Sequence, residues 1–204
     1  MIFVFFFILG SIWGSFCNVC IFRLPEDKGV VIDRSFCPKC KKIIKWYDNI
    51  PLISFLFLKR KCRNCDYIIN IQYFIVELLT AISFCLIYYI YGLSVTTLLF
   101  IVLSIFFVII FFIDLKHFII PNELTFPLMF IGFVKSFYPN LDTVIFPNFI
   151  NSLIGGALGY IIIWPIIFLY KKIKNKEGMG LGDAQLLSAI GFWFGWVSVP
   201  LILF

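Results

Sequence analysis

Four cysteines stand in two C-x2-C pairs whose spacing is typical of a metal site. The pairs are Cys37-Pro-Lys-Cys40 and Cys62-Arg-Asn-Cys65, with 21 residues between them. Two such knuckles supply a tetrahedral thiolate site, for which zinc is the natural metal. Four sulfur ligands leave no position for water, so this zinc is predicted to be structural rather than catalytic. Two disulfides or four free thiols are the alternative. A cytoplasmic location disfavours the disulfides, and a loop this short has little core of its own without a metal.

Two aspartates are suited to acid–base chemistry. Asp114 ends the apolar run 106–113, and Asp183 follows the glycine-rich segment 178–182 and precedes another apolar run. A carboxylate at membrane depth is costly unless it is paired, hydrated or functional. If the two meet at a low-dielectric edge, one keeps its proton while the other acts as a base toward water, which is aspartic-protease chemistry.

Each aspartate also has a structural alternative. Asp183 suits the N-cap of a helix, where an aspartate side chain accepts hydrogen bonds from the first amides. Asp114 suits an interfacial ion pair with Lys116 or His117. From the residues alone, these alternatives remain open.

The elements that must position these residues are membrane helices. Of the 204 residues, 62% are hydrophobic and 14% are charged, which argues against a water-soluble fold. Runs long enough to cross about 30 Å of hydrocarbon recur along the chain. They predict six or more transmembrane helices, at residues 1–22, 71–91, 93–113, 119–138, 146–170 and 183–204, the last divided by Gly195. The first lacks a basic start and a cleavage site, so we expect it to be retained.

Charge predicts the orientation of these helices. The polar segment 23–70 holds eleven basic residues against five acidic ones. Basic residues near membrane ends stay on the cytoplasmic side, so this loop is predicted to be cytoplasmic and the N-terminus external. Both aspartates and the lysines of 171–176 then fall on the cytoplasmic side, and the loop 140–147 is external. The charge indicates topology and attraction to anionic lipid rather than nucleic-acid binding.

The sequence thus predicts an all-α polytopic membrane protein with one small cytoplasmic zinc-binding insertion. Its three parts are a first transmembrane helix (1–22), a loop with the two cysteine pairs (23–70) and a transmembrane bundle with the aspartates (71–204).

Four ordered blocks resemble the type IV prepilin peptidases, bifunctional enzymes of the bacterial inner membrane. The first is Gly14-Ser-Phe-Cys-Asn-Val19 with Arg23-Leu-Pro25, and the second joins the cysteine pairs with Asn49-Ile-Pro51 and leads to the helix start at 73–77. The third is Asp114 with Ile120-Pro-Asn122, and the fourth is Gly180-Leu-Gly-Asp183.

The resemblance implies catalysis by Asp114 and Asp183. It implies cleavage of basic leaders from prepilins or pseudopilins on the cytoplasmic side, then methylation of the new N-terminus with S-adenosylmethionine. Gln185 and Asn122 replace the lysine and aspartate that are frequent in the family, and Phe204 ends within an apolar run where members usually continue. Alternatives are a peptidase without methyltransferase function, and a zinc-binding transporter or assembly factor. A transporter would place acids near the bilayer midplane.

Overall fold

The computed structural model describes residues 1–30, 35–138, 145–174 and 180–203. Regular structure in these ranges is helical, apart from two isolated β-bridges. The α-helices are α1 (Ile2–Arg23), α2 (Ile53–Phe57), α3 (Ile71–Tyr91), α4 (Val95–His117), α5 (Asn122–Lys135), α6 (Phe149–Lys174), α7 (Leu181–Phe194) and α8 (Ser198–Leu203). The all-α prediction is confirmed.

Four described helices, α1, α3, α4 and α6, are long and apolar enough to cross a membrane. The chain is therefore a multi-pass membrane protein. Helices α5 and α7 have 14 residues each, or about 21 Å at 1.5 Å per residue, shorter than the hydrocarbon core. The predicted count of six spanning helices is therefore not confirmed.

Backbone chemistry sets several helix ends. Helix α3 ends at Gly92, whose φ of 62° lies in the positive range that glycine adopts freely. Pro121 stands at the N-cap of α5, so this helix begins three residues later than predicted. Gly195, with φ of 81°, ends α7 and separates it from α8, which confirms the predicted division.

The described chain forms two compact units, Met1–Leu115 and Lys116–Phe204. In the first, α1 packs against α3 with their backbones in close contact. A Cβ built on Gly10 would lie 2.7 Å from Cα of Ala81, and one on Gly14 would lie 2.6 Å from Cα of Glu77. The Asn18 side chain also donates a 3.0 Å hydrogen bond to the Tyr73 carbonyl. Small residues thus allow the close packing on which membrane helix pairs depend.

In the second unit, α6 packs against α7 at a similar set of glycines. A Cβ on Gly191 would lie 2.1 Å from the Gly155 carbonyl oxygen, and one on Gly159 would lie 2.6 Å from the Leu187 carbonyl oxygen. The Ser188 hydroxyl donates a 2.8 Å bond to the carbonyl of Gly156 on the facing helix. Helix α7 is held on its other side by α5, where the Trp193 indole donates to the Leu128 carbonyl at 2.9 Å.

We expect Gly191→Ala to destabilise the second unit, because its added methyl group would overlap the Gly155 backbone. Overpacking of this kind costs about 1–3 kcal/mol, so the thermal unfolding midpoint of the purified protein should fall by several degrees. Gly29→Ala is the control, since a Cβ there meets nothing within 4 Å. Equal midpoints for the two variants would contradict the close contact.

Candidate active site and metal centre

Both cysteine pairs adopt the same knuckle geometry. In the first, the Lys41 amide donates to the Cys37 carbonyl at 2.8 Å, and the Cys37 amide donates to Lys42 at 3.0 Å. In the second, the Asp66 amide donates to the Cys62 carbonyl at 3.1 Å and the Cys62 amide to Tyr67 at 2.9 Å. The residue after each pair has positive φ, 56° at Lys41 and 51° at Asp66. Two turns that are distant in sequence thus have the same backbone geometry around their cysteines.

The four sulfurs converge at one point. One ligand atom from each of Cys37, Cys40, Cys62 and Cys65 lies within 4.8 Å of the others, and the Sγ atoms of Cys37 and Cys65 are 3.7 Å apart. None of these four cysteines forms a disulfide, so the disulfide alternative is not favoured. A tetrahedral zinc site with Zn–S bonds of about 2.3 Å would place its sulfurs about 3.8 Å apart. The cluster therefore has the ligands and spacing to hold a metal ion.

Proton affinities within the cluster are unequal. Burial opposes ionisation of the Cys37 thiol, but hydrogen bonds from the Cys40 and Lys39 backbone and from neighbouring thiols lower its pKa to about 7. At Cys65 the Tyr67 amide favours the thiolate, but desolvation and the other three cysteines raise the pKa to about 11. Four adjacent thiols do not all ionise without a cation, and a divalent metal supplies that charge.

The cluster is braced against the rest of the insertion. The Arg63 guanidinium, between the ligands of the second knuckle, binds both carboxylate oxygens of Asp48 at 2.6–3.1 Å. It also lies over the Tyr47 ring, 5.6 Å from its centroid. The Tyr47 carbonyl in turn accepts a 3.0 Å bond from the Ser54 hydroxyl of α2. A bidentate ion pair of this kind fixes geometry as well as charge.

Glu77 attaches the insertion to the helix pair, a role that sequence analysis missed. Its Oε2 accepts a 2.7 Å hydrogen bond from the backbone amide of Leu52, whose φ is 61°. The ring of Phe55 stacks on Phe74 at 5.2 Å between centroids. Glu77 is 8% exposed and lies in the 73–77 block, but an acid in an apolar helix gave no sign of its partner.

Asp183 lies in the first turn of α7, at its third residue, rather than at the N-cap. Its Oδ2 accepts a 3.1 Å hydrogen bond from the Gly180 amide just before the helix. The N-cap position predicted as the structural alternative is therefore wrong, although the carboxylate does cap one amide. Residues 178 and 179 of the glycine-rich segment lie outside the described residues.

Two of the blocks meet beside Asp183 within the second unit. A Cβ on Gly182 would lie 2.7 Å from Cβ of Ile120, so Gly182 is the residue that permits this contact. Three residues past Asn122, the buried Thr125 hydroxyl donates a 2.8 Å bond to Oε1 of Gln185. The segment that follows Asp114 in sequence thus packs directly on the Gly-x-Gly-Asp turn. The contact partner of Gln185 could not be found from its sequence position.

Asp114 lies in the last turn of α4 and is exposed, whereas its neighbour Ile113 is fully buried. Helix α4 ends before Phe118, which has φ of 55°. Within the described ranges, no hydrogen bond or salt bridge engages the Asp114 carboxylate, so the alternative of an ion pair with Lys116 or His117 gains no support. Asp114 belongs to the first compact unit and Asp183 to the second, and their common site stays a prediction.

Comparison with known proteins covers both units. Residues 8–91 match the bacterial peptidase A24 N-terminal domain, and residues 101–204 match the type IV leader peptidase family. The chain belongs to the type IV leader peptidase family. The aspartates therefore stand in the family-matched half, and the cysteine pairs stand in the matched N-terminal domain.

Relatives of this leader peptidase cover nearly its whole length. A prepilin leader peptidase/N-methyltransferase of Klebsiella pneumoniae is 36% identical over 96% of this chain and 86% of its own. Its counterpart in Vibrio cholerae is 38% identical, over 97% and 79%. That of Myxococcus xanthus is 36% identical, over 95% and 56%. No solved structure matches. These relatives do not favour the transporter or assembly-factor alternative.

We expect the purified leader peptidase to hold one metal ion per chain in the cysteine cluster. Cys65→Ser should lower the metal content well below one equivalent, because three thiolates and a hydroxyl bind a soft ion more weakly. Acidification should release the metal from the wild type, since protons compete for the thiolates. Elemental analysis after dialysis measures both effects. Cys85→Ser, in α3 and outside the cluster, is the control; equal metal loss from both variants would contradict the assignment.

Proposed function

We propose that this leader peptidase is an aspartic endopeptidase that removes the leader from type IV prepilins or pseudopilins, with Asp114 and Asp183 as its catalytic residues. The observation that carries the proposal is the packing of Ile120 on Gly182. It brings the segment following one aspartate onto the turn that bears the other. The names of the relatives support the same substrate class.

The proposed chemistry follows from two carboxylates sharing a poorly hydrated site. In the proposed mechanism one carboxyl carries a proton, and the other accepts a proton from water. The activated water attacks the scissile carbonyl, and the protonated carboxyl hydrogen-bonds to the developing oxyanion. The C–N bond then breaks as the carbonyl re-forms, and the leaving amine takes the proton that the base removed from water. Asp183 uses Oδ2 to accept the Gly180 amide. Its Oδ1 is then available for the water.

The exposed segment at Gly180 suits an extended peptide substrate. Gly180 precedes α7, and the atom nearest to a Cβ built there is Oδ2 of Asp183 at 3.6 Å. A peptide backbone can approach such a turn closely because glycine carries no side chain. The leader junction of a prepilin would bind at this turn with its scissile bond beside Asp183.

Methylation of the new N-terminus is the second proposed activity, by analogy with the named relatives. S-adenosylmethionine would supply the methyl group. Among the described residues none forms a glycine-rich nucleotide loop, and we assign no residue to the methyl donor. The metal of the cysteine cluster is proposed to be zinc, because four thiolates in a tetrahedral arrangement suit it.

The proposed location is the bacterial inner membrane, with the insertion and both aspartates on the cytoplasmic side. Described basic residues of the insertion support this orientation through the positive-inside rule. The proposed partners are prepilin or pseudopilin substrates and membrane lipid. The chain carries no motif for binding nucleic acid.

Asp114→Asn and Asp183→Asn should each abolish leader cleavage, because an amide neither takes a proton from water nor shares one with its partner. Membranes carrying each variant are incubated with a prepilin, and the product mass reports cleavage and methylation separately. Asp27→Asn is the control, an exposed acid of the insertion whose φ of 52° asparagine also tolerates. Cleavage near the wild-type rate in either of the first two variants would refute the dyad.

Lysines of the insertion should react with an impermeant amine reagent only after cells are permeabilised. Lys39, Lys41 and Lys42 are exposed in the structure, so their protection in intact cells would reflect the membrane and not the fold. Peptide mass spectrometry measures the modification, with a known periplasmic protein as the internal standard. Modification of these lysines in intact cells would reverse the proposed orientation.

A further inference from the structure

Helix α2 carries an unpartnered apolar face. Ile53, Leu56 and Phe57 are 51%, 65% and 85% exposed. Positions i, i+3 and i+4 share one side of a helix, so these three side chains form a continuous surface. The opposite side of α2 is occupied, because Phe55 stacks on Phe74 and Ser54 is buried.

The attachment of α2 fixes its depth relative to the membrane helices. Phe74 lies in the first turn of α3, and Glu77, which binds the Leu52 amide, lies in the second. The 21 residues of α3 span about 31 Å, little more than the hydrocarbon core of about 30 Å. To span the membrane, α3 must therefore place its first two turns at or inside the membrane boundary. Helix α2 lies beside them.

Residues next to α2 are also of types that are typical of the membrane–water interface. Tyr73 is 40% exposed at the start of α3, and tyrosine is enriched at membrane–water interfaces. Lys59, Arg60 and Lys61 follow α2 after one intervening residue, Leu58, and are exposed. Cations placed next to apolar side chains at this depth complement the phosphates of anionic lipids.

We propose that α2 is an interfacial anchor: Ile53, Leu56 and Phe57 insert among the lipid acyl chains, and Lys59 and Lys61 bind anionic lipid headgroups. The occupant of this face is the bilayer and not another protein. The anchor holds the metal-binding insertion against the membrane through contacts at both α3 and lipid. This inference requires only that α3 spans the membrane, and it does not depend on the proposed peptidase activity.

The test places the photoreactive residue p-benzoylphenylalanine at Phe57 in the full-length protein. The protein is reconstituted in vesicles of phosphatidylethanolamine and phosphatidylglycerol, whose two leaflets have the same composition, so orientation has no effect. After irradiation, mass spectrometry measures lipid adducts. The matched control carries the same residue at Ile43, an exposed apolar position of the first knuckle. We expect a several-fold higher lipid adduct yield at position 57.

A second comparison tests the charged part of the anchor. With the probe at position 57, the double substitution Lys59→Gln and Lys61→Gln should lower the share of phosphatidylglycerol among the adducts. Thermal unfolding confirms that each variant is folded, and Leu56 replaces Phe57 as the probe position if needed. Equal lipid yields at positions 57 and 43, or adducts of position 57 mainly with protein, would overturn the proposal.

Discussion

Lipid tails solvate apolar side chains as well as a protein core does, so membrane helices associate through close van der Waals contact and hydrogen bonds. This leader peptidase meets that constraint with glycines. Gly10 and Gly14 bring α1 onto α3, and Gly155 and Gly191 bring α6 onto α7. Serine hydroxyls then reach carbonyls of the facing helix, as Ser188 does at Gly156. The position of Asp183 depends on this packing, because its helix is fixed on two sides.

The insertion uses a different solution because it is too short to bury a core of its own. Its two knuckles converge on four sulfurs, and a metal held there would replace the missing hydrophobic interior. Specific polar contacts fix the rest of the insertion: Arg63 binds Asp48, and the Leu52 amide binds Glu77. Glu77 also lies where Gly14 of α1 touches α3. One carboxylate thus connects the cysteine-bearing insertion with the first helix pair.

Sequence patterns predicted the long helices and the cysteine cluster well, because both depend on local signals. The limits of α3 agree at both ends with the predicted 71–91, since Asn70 and Gly92 bound a largely apolar segment. The short α5 (Asn122–Lys135) was predicted too long, at 119–138, because apolar residues precede it although Pro121 stands at its N-cap. The end of α7 at Gly195 agrees with the predicted division, since a glycine interrupts the apolar run there.

Tertiary partners were beyond the reach of the sequence. The hydrogen bond between Leu52, just before α2, and Glu77 joins residues 25 positions apart. No hydrophobic periodicity in the sequence indicates that pairing. The hydrogen bond between the Thr125 hydroxyl and Gln185 is similar, because the two residues are 60 positions apart. The sequence showed Gln185 only as a departure from the family's frequent lysine. Such pairings follow from which helix faces meet, and these are set by the glycine contacts rather than by hydropathy.

The capping bond of Asp183 does not conflict with its proposed catalytic role. A carboxylate has two oxygens, and the Gly180 amide occupies only Oδ2. That bond restricts rotation of the side chain, so Oδ1 is held in one direction before substrate binds, and a positioned base loses less entropy on reaching the transition state. The hydrogen bond by which Asp183 caps the Gly180 amide would therefore also orient the proposed base.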